Sequence, residues 1–593
     1  MLDKRVIECD LCVVGGGMAG LTAAISAARE GAKVVLMHER PMLGGNASSE
    51  IRMWVCGAKG KNNRETGILE EIMLESLYRN PTKSYALWDS ILYDFVKREE
   101  NITLLLNTTC MDAEINEGEY KHGRDRAITE ITGYQMTTQR LITVKAKYYA
   151  DCSGDSILAP LTGAEFRLGR ESKYEFDEDT ELEVSDRMTM GMSCLVYGRE
   201  TDRKIDFIPP SFATKLTDRD FENRMPDIYD ETENFWYLEL GGNRDSIGDT
   251  EELRDELVAL ALGTWDYVKN SGRFKADNFD VDFLGFLPGK RESRRMCGEY
   301  IVTQRDISGG KVFDDEIAYG GWPLDDHFPG GFYHRGVPNT DFQTPAPYSL
   351  PYRALYSKNV DNLFFAGRNI SMTHTAMSSI RVMATCALLG EAVGKAAAIA
   401  AEFGITPHDV YLEKLSLLQK KLLSEDCFLP NIKREVGNTC LDATITGSDD
   451  SIRNGEDRPH YKYGTEDASA ATVTLGGEVK YSFEAKDIES VHIVFDSDLN
   501  RVTLPGGWCE QGHSTRANIL LSSPIMCMPK TLCRSFRLVG SLDGHETVIL
   551  DVTDNRKRSY HLENIGKFDS LRLVPTESWG EGDTVAVVSF DFV

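Results

Sequence analysis

The sequence predicts an α/β domain built on a parallel sheet, split by a mixed α+β insertion and followed by an all-β jelly-roll sandwich. An apolar run, Leu11-Cys12-Val13-Val14, enters the turn Gly15-Gly16-Gly17-Met18-Ala19-Gly20, and a small-residue helix over 21–30 and an apolar strand over 34–37 follow it. That pattern resumes only at 360–367, where an apolar strand again ends in glycine, ahead of a helix predicted over 379–402. Beyond Pro430 the helical periodicity stops, and short β-type runs bounded by turn residues take over.

The first elements have local physical reasons. In the spacing G-x-G-x-x-G, Gly15 permits the tight turn, Gly17 brings the backbone close to a pyrophosphate, and Gly20 lets the helix pack on the strand. The helix N-terminus offers free N–H groups and a positive dipole end to phosphates. Gly31 closes the helix, and Glu39 ends the second strand about twenty residues beyond the motif, where a carboxylate can accept both ribose hydroxyls of an adenosine. The unit is a Rossmann-type dinucleotide site. Amphipathic helices are predicted over 68–79 and 87–98, and strands over 102–110 and 141–150. Residues 166–354 contain acidic loops and read as an inserted substrate or cap domain, so the nucleotide domain is expected to be discontinuous, 1–165 and 355–430, ending in a charged helix over 407–424. The tail, 431–593, carries strand patterns at 471–475, 490–495, 535–539, 547–552, 570–574 and 584–593.

Composition narrows the function classes. At 593 residues the chain is too long for one hydrophobic core. Its 66 basic and 93 acidic residues leave a net charge of -27, which repels phosphate backbones and argues against a nucleic-acid partner. No apolar run reaches the ~18 residues of a membrane span, and the N-terminus lacks a secretory pattern, so a cytoplasmic location is expected. Thirteen cysteines without framework spacing suit reduced thiols. Cys9 and Cys12 form a C-x-x-C inside a strand, where positions three apart face opposite sides. H-E-x-x-H, G-x-S-x-G and P-loop patterns are absent from the sequence.

Four separated motifs resemble one family. They are 40–48, with the pair Gly44-Gly45; Tyr149-Ala150-Asp151-Cys152-Ser153-Gly154-Asp155; 285–295, with Arg291-Glu292-Ser293-Arg294-Arg295; and 362–368. Together they resemble the FAD-dependent oxidoreductases with the glutathione-reductase-type FAD fold, over roughly residues 6–425. The resemblance implies extended FAD. Its pyrophosphate would lie against Gly15, Gly17, Met18, Ala19 and Gly20, with its adenine near Glu39 and Cys110. Arg40, Gly44, Gly45, Asn46 and Ala47 would run along the pyrophosphate and flavin, and Ser153, Gly154 and Asp155 would also touch the cofactor. The helix N-terminus at Arg381 and Val382 would face the flavin pyrimidine, where a positive helix end stabilises charge on reduction. Many relatives have Gly-Asp at the ribityl contact; this chain has Gly367-Arg368-Asn369, with Asn369 placed to substitute. A second G-x-G-x-x-G and a reactive cysteine pair are missing from the sequence, so electrons pass by direct contact with the flavin, and the acceptor is left open.

Hydride transfer needs a base and cations that hold the substrate. His374 is the candidate base or substrate ligand, against a hydrogen-bonded loop histidine. Arg52 and Arg294 are candidates for bidentate substrate contacts, against salt bridges with Glu50 or Glu292. His327 and His334 lie in a glycine-rich loop, 320–336, that either covers the site or is plain surface, and Cys56 is either a flavin neighbour or core. The tail segments 441–448, 454–459, 491–495, 541–544 and 585–593 resemble galactose-binding-like, discoidin-type sandwiches. That resemblance implies either carbohydrate binding or a packing role in a homo-oligomer, with Trp508 and Trp579 on a sugar or in the core. The sequence thus reads as an FAD-dependent oxidoreductase acting on a small polar substrate, a sugar or sugar-derived acid. A flavin-dependent reductase of unsaturated acids or a modifying enzyme, and a carbohydrate-binding scaffold with a relic FAD fold, stand as rivals.

Overall fold

The computed structural model describes residues 3–180, 182–231, 233–458, 470–507 and 511–593. The chain divides into two compact units. The first comprises residues 1–59, 83–418 and 513–524; the second comprises 60–82, 419–512 and 525–593.

The first unit is organised by a seven-stranded sheet. The strands run in the order Ile102–Leu105, Val34–Met37, Asp3–Val14, Arg140–Asp151, Arg126–Gln135, Thr108–Glu117, and Leu363–Phe365 pairs with Arg140–Asp151. The pairs around Asp3–Val14 are parallel, and 108–117 and 126–135 add an antiparallel hairpin at one edge. The helices Met18–Arg29 and Met383–Phe403 touch backbone to backbone. A Cβ on Gly390 would stand 2.0 Å from the Ala19 carbonyl, and one on Gly394 2.3 Å from the Ala23 carbonyl. Thr22 and Ser26 donate hydroxyls across the gap to the Ala387 and Glu391 carbonyls. The helix 383–403 is long and apolar enough to cross a membrane, but 94% of its apolar window is buried inside the protein. It is a core helix.

Two predicted helices are broken. The one expected over 379–402 is a short helix, His374–Ile380, and then Met383–Phe403 with Val382 as extended N-cap. The one expected over 407–424 breaks at Lys414 into Pro407–Glu413 and Leu415–Ser424. The insertion is no separate compact body. Its helix Thr250–Asn270 buries Leu253, Leu257 and Trp265 with Phe221, Phe235 and Phe279. Cys9 is half-buried and Cys12 buried, both free, and burial pushes the Cys9 thiol up to about 12, which removes it from redox chemistry.

The second unit is an antiparallel β-sandwich. Ala471–Thr474, Thr584–Phe592, Val479–Phe495, Ser559–Ser578, Cys533–Leu542 and His545–Val552 pair in that order, with Thr444–Thr446 on Val479–Phe495. Two strands are far longer than their sequence patterns, 17 residues over 479–495 and 20 over 559–578. The helix Ile68–Arg79, expected with the nucleotide domain, belongs here: Leu74 and Leu77 join Val491, Phe536 and Leu573 in one core, and Glu70 pairs with Arg501 at 2.6 Å. Its amphipathic pattern shows an apolar face but does not name the face it meets. Trp579 is a half-buried packing residue, its Nε1 donating to the Asn555 carbonyl at 2.7 Å; Trp508 lies outside the described residues.

Candidate active site

The glycine motif folds as its spacing predicts. Gly15 has φ +105°, and a Cβ there would meet the Cys152 carbonyl at 2.4 Å. A Cβ on Gly20 would lie 1.8 Å from the Gly15 carbonyl, so helix and strand touch. Gly17 caps the helix, with Met18 and Ala19 buried in its first turn, and it bridges to Gly44. Gly45 follows at φ +60°, 3.0 Å from the Gly17 Cα by the same measure, and opens the turn Gly45–Ala47. Sequence reasoning missed the residue that locks this crossing. His38 accepts from Gly16 N through Nδ1 at 2.9 Å and donates to the Met42 carbonyl through Nε2 at 2.9 Å. Burial, aided by Arg40, pulls its pKa down to about 3, so the imidazole bridges as a neutral group.

Glu39 stands at the end of the second strand with its carboxylate 51% exposed and 3.9 Å from Arg40. Cys110 is buried nearby; burial and the charges of Asp151, Asp112 and Glu39 push its thiol up to about 12. Arg40 lies 3.7 Å from Glu50, yet its buried Nε and Nη1 have no hydrogen-bond partner. Asn369 Oδ1, beside Gly367, and Arg381 Nε are buried and unpartnered in the same way. Such orphans are costly unless a ligand meets them. The glycine crossing and these groups therefore fit FAD. Glu39→Ala should weaken FAD binding by about 1.5–3 kcal/mol, read by flavin release in dialysis; undiminished retention would remove the ribose role.

Other predicted cofactor residues are spent on the protein. Asp155 takes Lys290 at 2.8 Å and Arg368 at 2.9 Å; burial disfavours its charge, but these two cations hold its pKa below the ordinary carboxylate range. Arg368 also donates to the Gly154 carbonyl, Asn46 donates to the Lys290 carbonyl, and Ser153 donates to Asp151. These pairs clamp 285–295 onto the cofactor-side segments. At the helix N-terminus, Ala384 N donates to the Cys56 carbonyl at 2.9 Å, which seats the half-buried Cys56 beside Val382.

Between this helix end and the insertion lies a buried cluster of alternating charge. His374 N donates to Glu171, while its Nδ1 lies 2.8 Å from Glu292 and its Nε2 3.0 Å from Asp326. Burial alone would strip the ring of its proton, but Glu292 and Asp326 outweigh it and raise the pKa to about 10. A second set, Glu239, His327 and Asp325, adjoins it through the neighbouring aspartates. Arg291 lies against Glu239, Arg295 against Glu292 and Glu171, and Arg381 against Asp325.

Three expectations are corrected here. His374 is an imidazolium with both ring nitrogens engaged, so it does not act as a base at neutral pH. Arg52 is turned from substrate by Asp282 at 2.9 Å and by Phe283, whose ring centre lies 4.2 Å away; its expected partner Glu50 faces Arg40 instead. Arg294 donates to the Asp155 carbonyl and covers Phe166, while Glu292 pairs with Arg295. His334 stacks on Phe328 outside the cluster. The roles of Glu239, Glu292, Asp325 and Asp326 left no sequence signal beyond their closeness to predicted motifs, because the four come from three separate stretches of the insertion.

The fold and the glycine cradle define an FAD-binding oxidoreductase. The FAD dependent oxidoreductase family matches residues 10–422, and this chain belongs to it. The cytochrome-type fumarate reductase of Shewanella frigidimarina is 58% identical over 38 residues, 6% of this chain; the match spans only 7% of that protein's length. Among solved structures, p-nitrophenol 4-monooxygenase PnpA from Pseudomonas putida DLL-E4 is 12% identical, covering 71% of this chain and 85% of its own, with a TM-score of 0.31. FrdA of E. coli quinol fumarate reductase, in a variant carrying one glutamate-to-glutamine substitution, is 11% identical, covering 71% and 75%, with a TM-score of 0.28. A GH31 CBM32-2 module bound to GalNAc is 15% identical, covering 25% and 97%, with a TM-score of 0.17.

Proposed function

We propose that the enzyme oxidises a neutral, polyhydroxylated small molecule, a sugar or polyol, rather than acting on an unsaturated acid. One observation carries this reading. Arg52, Arg291, Arg295 and Arg381 each already lie within 4 Å of a carboxylate: Asp282, Glu239, Glu171 with Glu292, and Asp325. An anionic substrate bound through them would have to displace these pairs, and breaking the fully buried ones of Arg295 costs about 3–5 kcal/mol. A neutral polyol pays no such cost. Carboxylates such as Asp326, 32% exposed, can accept hydrogen bonds from its hydroxyls, and Trp236 and Trp322 line the same segments with apolar faces.

Bound FAD supplies a two-electron acceptor for the hydride. The glycine crossing, Glu39, Arg40 and Asn369 would hold the cofactor, Val382 would set the positive helix end toward it, and the buried cluster would supply fixed charges around the donor. The test is anaerobic: neutral aldoses and polyols should bleach the flavin bands, and unsaturated dicarboxylates should leave reduced enzyme unoxidised. Rapid reoxidation by such an acid, with no bleaching by any neutral donor, would move the assignment to the reductase class.

A further inference from the structure

The two histidines of the buried cluster sit in different electrical settings. His327 Nδ1 lies 2.6 Å from Glu239, a firm hydrogen bond, while its Nε2 lies 3.5 Å from Asp325, too far for a good one. Each carboxylate has its own arginine: Arg291 stands 3.6 Å from Glu239 and Arg381 3.1 Å from Asp325. The charge of each carboxylate beside the His327 ring is thus met by an arginine, and Asp326, which also acts on the ring, is paired with His374 at 3.0 Å. His374 faces Glu171, Glu292 and Asp326, against which stand Arg295, on Glu292 and Glu171, and Arg167, on Glu171 at 2.9 Å, while the neighbouring Arg170 is taken by Asp186 at 2.6 Å. The net negative charge there holds the His374 proton in place.

Orientation favours His327 as well. Glu239 accepts the Nδ1 proton, so in the neutral ring Nε2 is the accepting nitrogen. Trp236 packs edge-on against the ring at 5.1 Å, and its carbonyl accepts from Arg291 at 2.9 Å, so ring and carboxylate are held by one residue. The segment carrying His327 is pinned to the stretch before the helix N-terminus: Ser379 donates to the Trp322 carbonyl, and Arg381 donates to the Asp325 carbonyl at 3.0 Å.

We propose that His327 is the catalytic proton acceptor of the reaction and Glu239 its positioning residue, an inference that rests on the reading of a hydroxylated donor. The donor O–H proton moves to His327 Nε2 as the C–H electron pair leaves as hydride. The alcohol carbon becomes a carbonyl, the FAD that the glycine crossing would hold would supply the two-electron acceptor, and the imidazolium passes its proton to solvent.

The test uses holoenzyme. His327→Gln should keep FAD affinity within about twofold and slow anaerobic reduction by a neutral polyol about 10²–10⁴-fold. Glu239→Gln keeps the ring but removes its anchor, so it should lose part of that rate. A second readout needs no donor. In 15N-histidine NMR of the oxidised holoenzyme at pH 8, the signal that His327→Gln removes should show a protonated Nδ1 and a bare Nε2. A wild-type reduction rate in His327→Gln, or a doubly protonated ring at pH 8, would overturn the assignment. If His327→Gln fails to fold, Glu239→Gln decides it: a shifted tautomer signal with a slower rate supports the proposal, and no change in either overturns it. If no neutral donor reduces the wild type, the donor class falls, while the NMR signal still decides the state of the ring.

Discussion

His374→Ala is expected to destabilise the first unit by about 3–5 kcal/mol, because it leaves the buried Glu292 and the part-buried Asp326 without the cation between them. The wild type should show the same clamp as a pH dependence. In the folded protein the ring keeps its proton up to about 10, whereas a free imidazole titrates near 6.5. A group with a raised folded pKa contributes its full stability below the lower value and loses it as pH rises to the higher one. Stability should therefore decline between pH 6.5 and 10, by at most about 4–5 kcal/mol at roughly 1.36 kcal/mol per unit. Denaturant titrations of wild type and His374→Ala at pH 6, 8 and 10 would read this directly. The two curves should converge as pH rises. A wild-type curve that is flat across this window would mean that the ring is not the clamp.

Asn518→Ala should cost about 2–4 kcal/mol, although Asn518 lies far along the chain, in the stretch expected to form the sandwich. It is fully buried in the first unit, where its Oδ1 accepts from Gly198 N at 2.8 Å and its Nδ2 donates to the Asp230 carbonyl at 3.0 Å. The same segment pairs its backbone with that unit: Ile519 N donates to the Gly198 carbonyl, Glu200 N to the Ile519 carbonyl, and Ala517 N to the Glu231 carbonyl. His513 stacks on Trp54 at 4.7 Å. A chain ending at Pro430 loses all of these at once. It should fail to retain FAD, whereas a protein of two sequential domains would survive the cut. A truncated protein that stays yellow and folded would refute the interlocked arrangement.

Much of the dinucleotide half was legible because its constraints are local. Gly15, Gly17 and Gly20 are demanded by a turn, a close approach and a helix contact within ten residues of one another, and any chain that makes this unit needs them. Glu39 follows from its distance along the same βαβ unit. The helix break at Arg381 and Val382 was not legible, since the small-residue run around it reads as one continuous helix.

The substrate side shows the opposite case. Arg52, Arg294 and His374 have the right chemistry for their predicted roles, and each was redirected by a partner distant in sequence: Asp282, the Asp155 carbonyl, and Glu292 with Asp326. Sequence spacing carries no information about such partners, because a charge acts over a few ångströms of space rather than along the chain.

By itself, then, the sequence determined the class of cofactor, the α/β and all-β character of its two ends, and the residues that approach a pyrophosphate, all of which rest on short-range backbone sterics and periodicity. Only the tertiary structure decided which helix joined which core, why residues 513–524 complete the first unit, and which of two buried histidines has an arginine beside each carboxylate that faces its ring nitrogens. Those outcomes depend on the sum of burial and Coulomb terms among groups that only folding brings together.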